Sequence, residues 1–219
     1  FLYSGSTGIR IETANPLRPM PGQYLLASGS NLQQVLPVAL FIDRVKGTEL
    51  SAFPALPVEW TPGMEISLRG PLGNGFHPPM GVRHLALVDL SDHQVRRLLG
   101  VAEMRECETA ETVLLGSNRP EELPVEIEFL PLGALSEVIG WSDYLAVELS
   151  LQQMKTLRDL AGIRTNQEFP SFAEVLIETP MICGGVASCG VCAVRARGQW
   201  ALACKEGPVF RISQISEEE

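Results

Sequence analysis

The chain has 219 residues, of which 45% are hydrophobic and 20% charged, a composition typical of a globular protein with a core of its own. Its 26 acidic residues outnumber its 17 basic ones, and the formal net charge of −9 disfavours general binding to nucleic acid or to an anionic membrane surface. No apolar stretch approaches the roughly 18 residues of a transmembrane helix, so the chain is not expected to span a membrane. It begins with Phe rather than Met, and we therefore expect residues upstream of it.

Short β-like runs fill the N-terminal part of the chain. Residues 24–27, 38–42 and 65–68 are rich in apolar side chains, and pairs of Pro and Gly separate them from one another. Short strands with regular turn signals are typical of antiparallel barrels and sandwiches. The sequence therefore predicts an antiparallel β-barrel over residues 1–80.

The pattern changes in residues 81–178. Residues 84–88 and 144–147 are typical of buried strands, and each is followed by apolar residues at helical spacing. Ser91 is expected to cap the first of these helices, and Gly162 to end the last. Strands that alternate with helices predict a small parallel α/β domain.

Cysteines are the most informative residues of the sequence. Cys107 stands alone in a charged stretch and is interpreted as a free thiol that serves packing. The other four, Cys183, Cys189, Cys192 and Cys204, fall within 22 residues near the C-terminus. A chain of this size does not need disulfides to be stable, so four clustered thiols indicate metal or iron–sulfur ligation.

The spacing of the four thiols favours a [2Fe–2S] cluster. Residues 192–197 and 199–204 predict a hairpin around Gly198, which returns Cys204 to the side of Cys192. Plant-type ferredoxins have the spacing C-x4-C-x2-C and a distant fourth Cys, and this chain has one residue more in the first gap. A structural zinc site usually has two well-separated Cys pairs, which this spacing does not match.

Several runs resemble a known family. The chain is similar to the electron-transfer subunit of the two-component dihydroorotate dehydrogenase, and also to the flavin-binding γ subunits of cytoplasmic nickel–iron hydrogenases. The resemblance implies a ferredoxin-reductase-like architecture: a flavin-binding β-barrel, an α/β nucleotide domain, and a C-terminal [2Fe–2S] domain over residues 179–219. The runs that carry it are PGQY (21–24), GPLGNGF (70–76), CGG (183–185), CGVC (189–192) and CKEGPVF (204–210).

The flavin motif of the family is altered. Its members have an Arg-Pro-aromatic-Ser run in which the Arg binds the pyrophosphate of FAD, whereas residues 36–40 here read LPVAL. The chain thus lacks the guanidinium that would pair with a diphosphate, and FAD binding is left open. Lys46, Gly47 and Thr48 still resemble the turn that presents backbone N–H groups to the pyrophosphate, and they are the candidate FAD residues.

The nucleotide motifs are altered as well. Where the family has a Gly-rich loop, residues 88–93 read VDLSDH, and residues 147–150 read VELS in place of a Cys-Gly-Pro run. Two carboxylates and no glycine would repel a dinucleotide rather than bind it, because phosphates need closely approaching backbone N–H groups. The sequence disfavours NAD(P) binding.

Three functions are compatible with these features. The leading hypothesis is a cytoplasmic electron-transfer subunit without catalytic residues or NAD(P), which relays single electrons through a [2Fe–2S] cluster. Its partner in a hetero-oligomer would be a dihydroorotate dehydrogenase-like or hydrogenase-like catalytic subunit. One alternative is a functional FAD/[2Fe–2S] reductase subunit that passes electrons between NAD(H) and such a partner. The other is a purely structural subunit stabilised by a metal.

Overall fold

The structure, a computed structural model, describes residues 2–3, 6–7, 9–29, 36–52, 60–91, 95–120, 123–170 and 172–216. In chain order the strands are β1 (Leu2–Tyr3), β2 (Ser6–Thr7), β3 (Ile9–Glu12), β4 (Tyr24–Gly29), β5 (Val38–Lys46), β6 (Glu49–Ala52), β7 (Ile66–Leu72), β8 (His84–Asp89), β9 (Glu111–Gly116), β10 (Ile127–Pro131), β11 (Tyr144–Ser150), β12 (Ala173–Glu178), β13 (Ala193–Ala196), β14 (Gln199–Leu202) and β15 (Val209–Arg211). The helices are α1 (Arg96–Ala102), α2 (Leu135–Trp141), α3 (Met154–Ala161) and α4 (Ala203–Glu206). Among these described residues no helix is long and apolar enough to cross a membrane.

The N-terminal region is an antiparallel sheet with the strand order β3-β6-β5-β4-β7. Its strand β4 is buried on both faces, since Leu25 and Ala27 lie in the sheet's own core and Tyr24 and Leu26 in the core shared with the α/β sheet. The register between β4 and β7 shifts between Tyr24 and Leu26, which marks a bulge. The core of this sheet contains Ile11, Leu25, Ala27, Leu40, Leu50 and Ala52.

The second large sheet has the order β10-β9-β8-β11-β12-β15, with the first five strands parallel and β15 antiparallel to β12. Its central strands are buried on both faces, which explains their nearly continuous apolar sequences. Leu85 and Leu87 of β8 pack on the side of α1, whereas Ala86 and Val88 share a core with residues of α2 and α3. The predicted ferredoxin-reductase-like combination of an antiparallel sheet and a parallel α/β sheet is thus confirmed.

Two local predictions have different outcomes. Gly162 ends α3 in the left-handed conformation, with φ 70°, as expected. The prediction that Ser91 caps α1 is wrong, because α1 begins at Arg96. The backbone N–H and the hydroxyl of Ser91 instead donate to Oδ1 of Asp89, at 3.0 and 2.8 Å, a local bond that competes with helix capping.

The C-terminal segment contains the predicted hairpin, β13 and β14, around Gly198. Its last strand, β15, lies at the edge of the α/β sheet beside β12. Buried side chains of this segment, among them Val194 and Cys204, belong to the same core as residues of the central strands. The boundaries of the three sequence-derived domains stay predictions.

Candidate metal centre

The four clustered cysteines meet in two pairs. The side chains of Cys183 and Cys189 are hydrogen-bonded to each other, and so are those of Cys192 and Cys204. The two pairs are neighbours, because the Cys204 carbonyl and Gly185, two residues after Cys183, both lie against the hydroxyl of Tyr24. Cys189 is exposed and Cys183 half-buried, whereas Cys192 and Cys204 are buried. One edge of the centre therefore lies at the surface and the other in the core.

Backbone N–H groups of the cysteine loop point at the sulfurs. Those of Ser188, Cys189 and Ala187 donate to the Cys183 sulfur, and they lower the pKa of this thiol to about 6. Burial, followed by the neighbouring Cys192, raises the pKa of the Cys204 thiol to about 11. Cysteine binds metals as the thiolate, and of these two thiols Cys183 is the easier to ionise.

The backbone of the cysteine loop is left-handed at three positions. Gly184 and Gly185 have φ 67° and 66°, and Ala187 has φ 59°. A Cβ on Gly185 would stand 2.8 Å from the hydroxyl of Tyr24, so this position tolerates no side chain. The two glycines let the loop lie against Tyr24 and Leu26 of the N-terminal sheet.

Side chains of the N-terminal region donate hydrogen bonds to the backbone of the cysteine segment. The buried hydroxyl of Tyr24 on β4 donates to the carbonyl of Cys204 at 2.8 Å, and burial raises the pKa of Tyr24 to about 12, so the donor keeps its proton. Arg69 of β7 donates to the carbonyl of Gly184 at 3.4 Å. Asn74 donates to the carbonyl of Glu206 at 2.7 Å. None of these side chain contacts is predicted by the sequence, although Tyr24 and Asn74 fall in runs 21–24 and 70–76 of the resemblance.

Loss of the Tyr24 hydroxyl is expected to loosen the metal centre. Tyr24→Phe leaves a buried carbonyl without its donor, and the free energy of unfolding should fall by about 1–2 kcal/mol. Tyr144→Phe is the matched control, because the Tyr144 hydroxyl is also buried but donates to Glu174. We expect both variants to lose stability in urea titrations, while only Tyr24→Phe speeds the bleaching of visible absorption in air. Equal bleaching rates would contradict the assigned role.

The grouping of possible ligand side chains limits the kind of metal centre that can form. Within the described ranges, no three His, Cys, Asp or Glu side chains are grouped so as to hold a single metal ion. A two-iron cluster takes two thiolate ligands on each iron, and the four cysteines here are arranged as two pairs. Cys107 lies apart in the core beneath α1, where burial raises its pKa to about 11, and its predicted packing role is confirmed.

The candidate FAD turn connects β5 and β6. Gly47 has φ 63°, Lys46 is exposed, and the hydroxyl of Thr48 donates to the carboxylate of Glu12. The carbonyl of Thr48 accepts from the backbone N–H of Thr13 at 2.9 Å. A diphosphate at this turn would therefore face the carboxylate of Glu12, which is repulsive.

The crevice at the carboxyl ends of β8 and β11 is where open α/β sheets of this strand order bind ligands. Here the amide of Gln153 bridges the two strand ends. Its Nε2 donates to the carbonyl of Leu90, and its Oε1 accepts from the backbone N–H of Ser150 at 2.8 Å. Asp92 and His93 of the sequence motif lie outside the described residues. A side chain of the protein itself thus links the two strand ends at this crevice.

Arg97 of α1 lies in the same crevice. Its Nη1 donates to Glu148 at 2.8 Å and to Glu178 at 3.0 Å. Its Cζ lies 4.7 Å from the ring centroid of Phe41, at cation–π distance. Arg97 therefore joins the ends of β11 and β12 to β5 of the N-terminal sheet.

The carboxylates of the crevice are difficult to ionise. Glu148 is fully buried, and burial outweighs Arg97 and raises its pKa to about 8. Its second oxygen, Oε2, has no hydrogen-bond partner within the described chain. Burial likewise raises the pKa of Asp89 to about 7, an effect that Ser91 and Arg97 reduce and Glu178 increases.

Stability is therefore expected to fall as the pH rises through the pKa of Asp89. The folded state keeps the proton up to about pH 7, while the unfolded state loses it near pH 4, so folding is favoured less at higher pH. Asp89→Asn should be more stable than the unmodified chain by about 1–3 kcal/mol at about pH 9, with little difference at about pH 4. Urea titrations at both pH values measure this. Asp159→Asn, on the exposed side of α3, controls for the lost charge; a pH-independent gain in Asp89→Asn would contradict the assignment.

Comparison with known proteins supports the interpretation of the cysteine segment. Residues 178–216 match the family model of the iron–sulfur cluster binding domain of dihydroorotate dehydrogenase B. The resemblance stated from the cysteine spacing is thus confirmed, and the match supports an iron–sulfur cluster in this segment. No curated protein sequence is similar enough to the chain to count as a relative.

Solved structures confirm the fold over a longer range. The NADH-dependent reduced ferredoxin-NADP oxidoreductase is 17% identical, with a TM-score of 0.71 over 95% of this chain and 84% of that one. An intact type IV self-sufficient cytochrome P450 monooxygenase is 11% identical, with a TM-score of 0.58 over 86% of this chain and 34% of that one. The ferredoxin reductase of carbazole 1,9a-dioxygenase is 13% identical, with a TM-score of 0.53 over 72% and 61%. At these identities the likeness shows a ferredoxin-reductase-like fold.

Proposed function

We propose, from the match of residues 178–216 to the iron–sulfur cluster binding domain of dihydroorotate dehydrogenase B, that this chain is an electron-transfer subunit. It relays single electrons through a [2Fe–2S] cluster held by Cys183, Cys189, Cys192 and Cys204. The observation that carries the proposal is this match, which spans all four cysteines, and their contacts in two pairs support the proposed ligand set.

The residues around the centre have separate tasks in such a relay. When bound, the cluster supplies one-electron chemistry at a potential set by hydrogen bonds to its sulfurs and by burial. The N–H groups of Ala187, Ser188 and Cys189 stabilise negative charge on the Cys183 sulfur. Tyr24 fixes the backbone of Cys204 on the buried side. Because Cys189 is exposed and Cys183 is half-buried, a partner's redox centre can come close on that side.

We further propose that the chain works without NAD(P) of its own. Gln153 closes the crevice between β8 and β11, and Arg97 is already paired with Glu148 and Glu178. A dinucleotide would have to break these contacts and then approach buried carboxylates. The chain has Leu36 where a cation would pair with the diphosphate of FAD, and the diphosphate would face Glu12 at the turn of residues 46–48. The proposed relay therefore does not depend on FAD.

Such a relay needs a partner that carries out the chemistry. We propose a hetero-oligomer with a catalytic oxidoreductase subunit, of the dihydroorotate dehydrogenase or hydrogenase type. A reducing compartment such as the cytoplasm suits the cluster and the free Cys107.

Anaerobic reconstitution with iron and sulfide tests this function. We expect two irons and two sulfides per chain, no retained flavin after addition of FAD and gel filtration, and no NADH-dependent reduction of a dye. Retained FAD together with dye reduction would instead support the alternative of a functional reductase subunit. A colourless protein that binds one zinc would overturn both and leave the structural subunit.

A further inference from the structure

The cysteine segment differs in charge from the rest of the molecule. Between Glu178 and Glu206 the chain contains no Asp or Glu, but it contains Arg195, Arg197 and Lys205. This stretch is therefore positive in a chain whose formal net charge is −9. Within the described residues none of the three cations forms an ion pair, since the ion pairs found involve other side chains.

The same segment exposes large apolar side chains. Ile182, Val186 and Val191 on the cysteine loop are 44%, 55% and 49% exposed, and Trp200 of β14 is 72% exposed. They accompany the exposed Cys189. Single exposed apolar side chains are ordinary, but several within one short segment around a functional group mark an interaction site.

The hairpin places cationic and apolar side chains side by side. Arg195 of β13 is directly opposite Trp200 of β14, and both are exposed, so they share the solvent face of the hairpin. The backbone N–H of Ala203 donates to the carbonyl of Cys192 at 3.0 Å, which joins the hairpin to the cysteine loop. Lys205 is exposed directly after the ligand candidate Cys204.

We infer that this surface, the cysteine-segment face (Ile182, Val186, Val191, Arg195, Arg197, Trp200 and Lys205), is the docking site for an electron-transfer protein with an acidic surface around an apolar centre. The inference rests on the proposed relay and concerns the electron carrier that exchanges electrons with it, a partner besides the catalytic subunit. Opposite charges attract such a partner to this face, while the acidic remainder of the chain repels it from other orientations. The encounter thereby brings the partner's redox centre to the exposed side of the cysteine loop.

An acidic plant-type ferredoxin is a suitable probe for this face. Binding to the reconstituted full chain is measured by calorimetry at about 20 mM and 200 mM salt. The variant Arg195→Glu/Arg197→Glu/Lys205→Glu is expected to bind at least 10-fold more weakly than the unmodified chain at low salt, and affinity should fall as salt rises. Trp200→Ser is expected to weaken binding at both salt concentrations.

A matched control separates local charge from net charge. Arg119→Glu/Lys155→Glu/Arg164→Glu reverses three exposed cations outside the segment and changes the net charge equally, so its affinity should stay within about twofold. Equal weakening by both triple variants, or no ferredoxin binding by the unmodified chain, would overturn the inference.

Two further measurements distinguish other occupants and a failed relay. If sedimentation shows self-association through this face, a second copy of the chain would replace the inferred partner. If ferredoxin does not bind but phosphatidylglycerol vesicles do, and the three cations control that binding, a membrane surface would replace it. The visible spectrum and iron content of each variant are recorded alongside. Cluster loss in the unmodified chain refutes the relay, whereas an intact cluster with unselective binding refutes only the docking face.

Discussion

Cys204→Ser is expected to abolish a stable iron–sulfur cluster. The variant loses one of four ligands, and iron retention should fall by at least about 100-fold, more than the 10–100-fold typical for loss of an outer-shell contact. Metal binding and folding are coupled at such sites, so the variant should also unfold at lower urea concentration when both proteins are loaded. Iron and sulfide analysis and visible absorption after identical reconstitution measure the loss.

The matched control for this prediction is Cys107→Ser. Cys107 is buried under α1 and distant from the centre, so this variant is expected to lose some stability while keeping a full cluster. The pair of variants also separates a relay from a structural subunit. A relay loses electron transfer with Cys204→Ser, whereas a scaffold loses only stability. A full cluster in Cys204→Ser would contradict the ligand assignment.

Arg97→Met is expected to lower the free energy of unfolding by about 3–5 kcal/mol at about pH 9. At this pH Glu148 is ionised, and the substitution leaves a fully buried carboxylate without its guanidinium partner at 2.8 Å. It also removes the contact with Phe41 that links the two large sheets. Below about pH 7 Glu148 can remain protonated, and the loss should be smaller.

A second substitution tests the cause of this loss. Adding Glu148→Gln to Arg97→Met removes the unpaired charge, so the double variant should recover a large part of the lost stability. Arg10→Met is the control, since Arg10 pairs with Glu49 at the surface at 3.4 Å and should contribute less than about 1 kcal/mol. If Arg97→Met and Arg10→Met cost the same, or the double variant shows no recovery, the assigned pairing is wrong.

The elements that could be predicted from the sequence are those with a local signal. Buried strands such as β8 and β11 are continuous apolar runs, and Gly162 is the ordinary end of a helix. The two strand-like runs around Gly198 predicted the hairpin that returns Cys204 to Cys192, because a turn at Gly198 fixes the register.

Interactions between distant residues could not be predicted in this way. Arg97 and Glu178 are 81 residues apart, and Tyr24 and Cys204 are 180 residues apart. No periodicity or motif indicates which strand ends become neighbours, so the network that closes the crevice is visible only in the fold. Ser91 was misinterpreted for the same reason that makes Ser a good cap: its short hydroxyl can bond to a nearby group, here Asp89, in a non-helical conformation.

The crevice between β8 and β11 differs from the family in its sequence and is bridged by side chains in the structure. The sequence lacks a glycine-rich loop after β8, and the structure shows the space bridged by Gln153 and Arg97. A fold of this kind does not by itself imply that a ligand binds at this position. The cysteine segment, in contrast, keeps an arrangement that suits a cluster.

A reductive titration followed by electron paramagnetic resonance tests the central claim most directly. The reconstituted chain is titrated with dithionite under anaerobic conditions, and spins are counted against the iron content at low temperature. The account predicts uptake of one electron per two irons and a single spin one-half signal, which is absent from Cys204→Ser and present in Cys107→Ser. A protein that takes up no electrons, or that binds one metal ion on the four thiols, would contradict it.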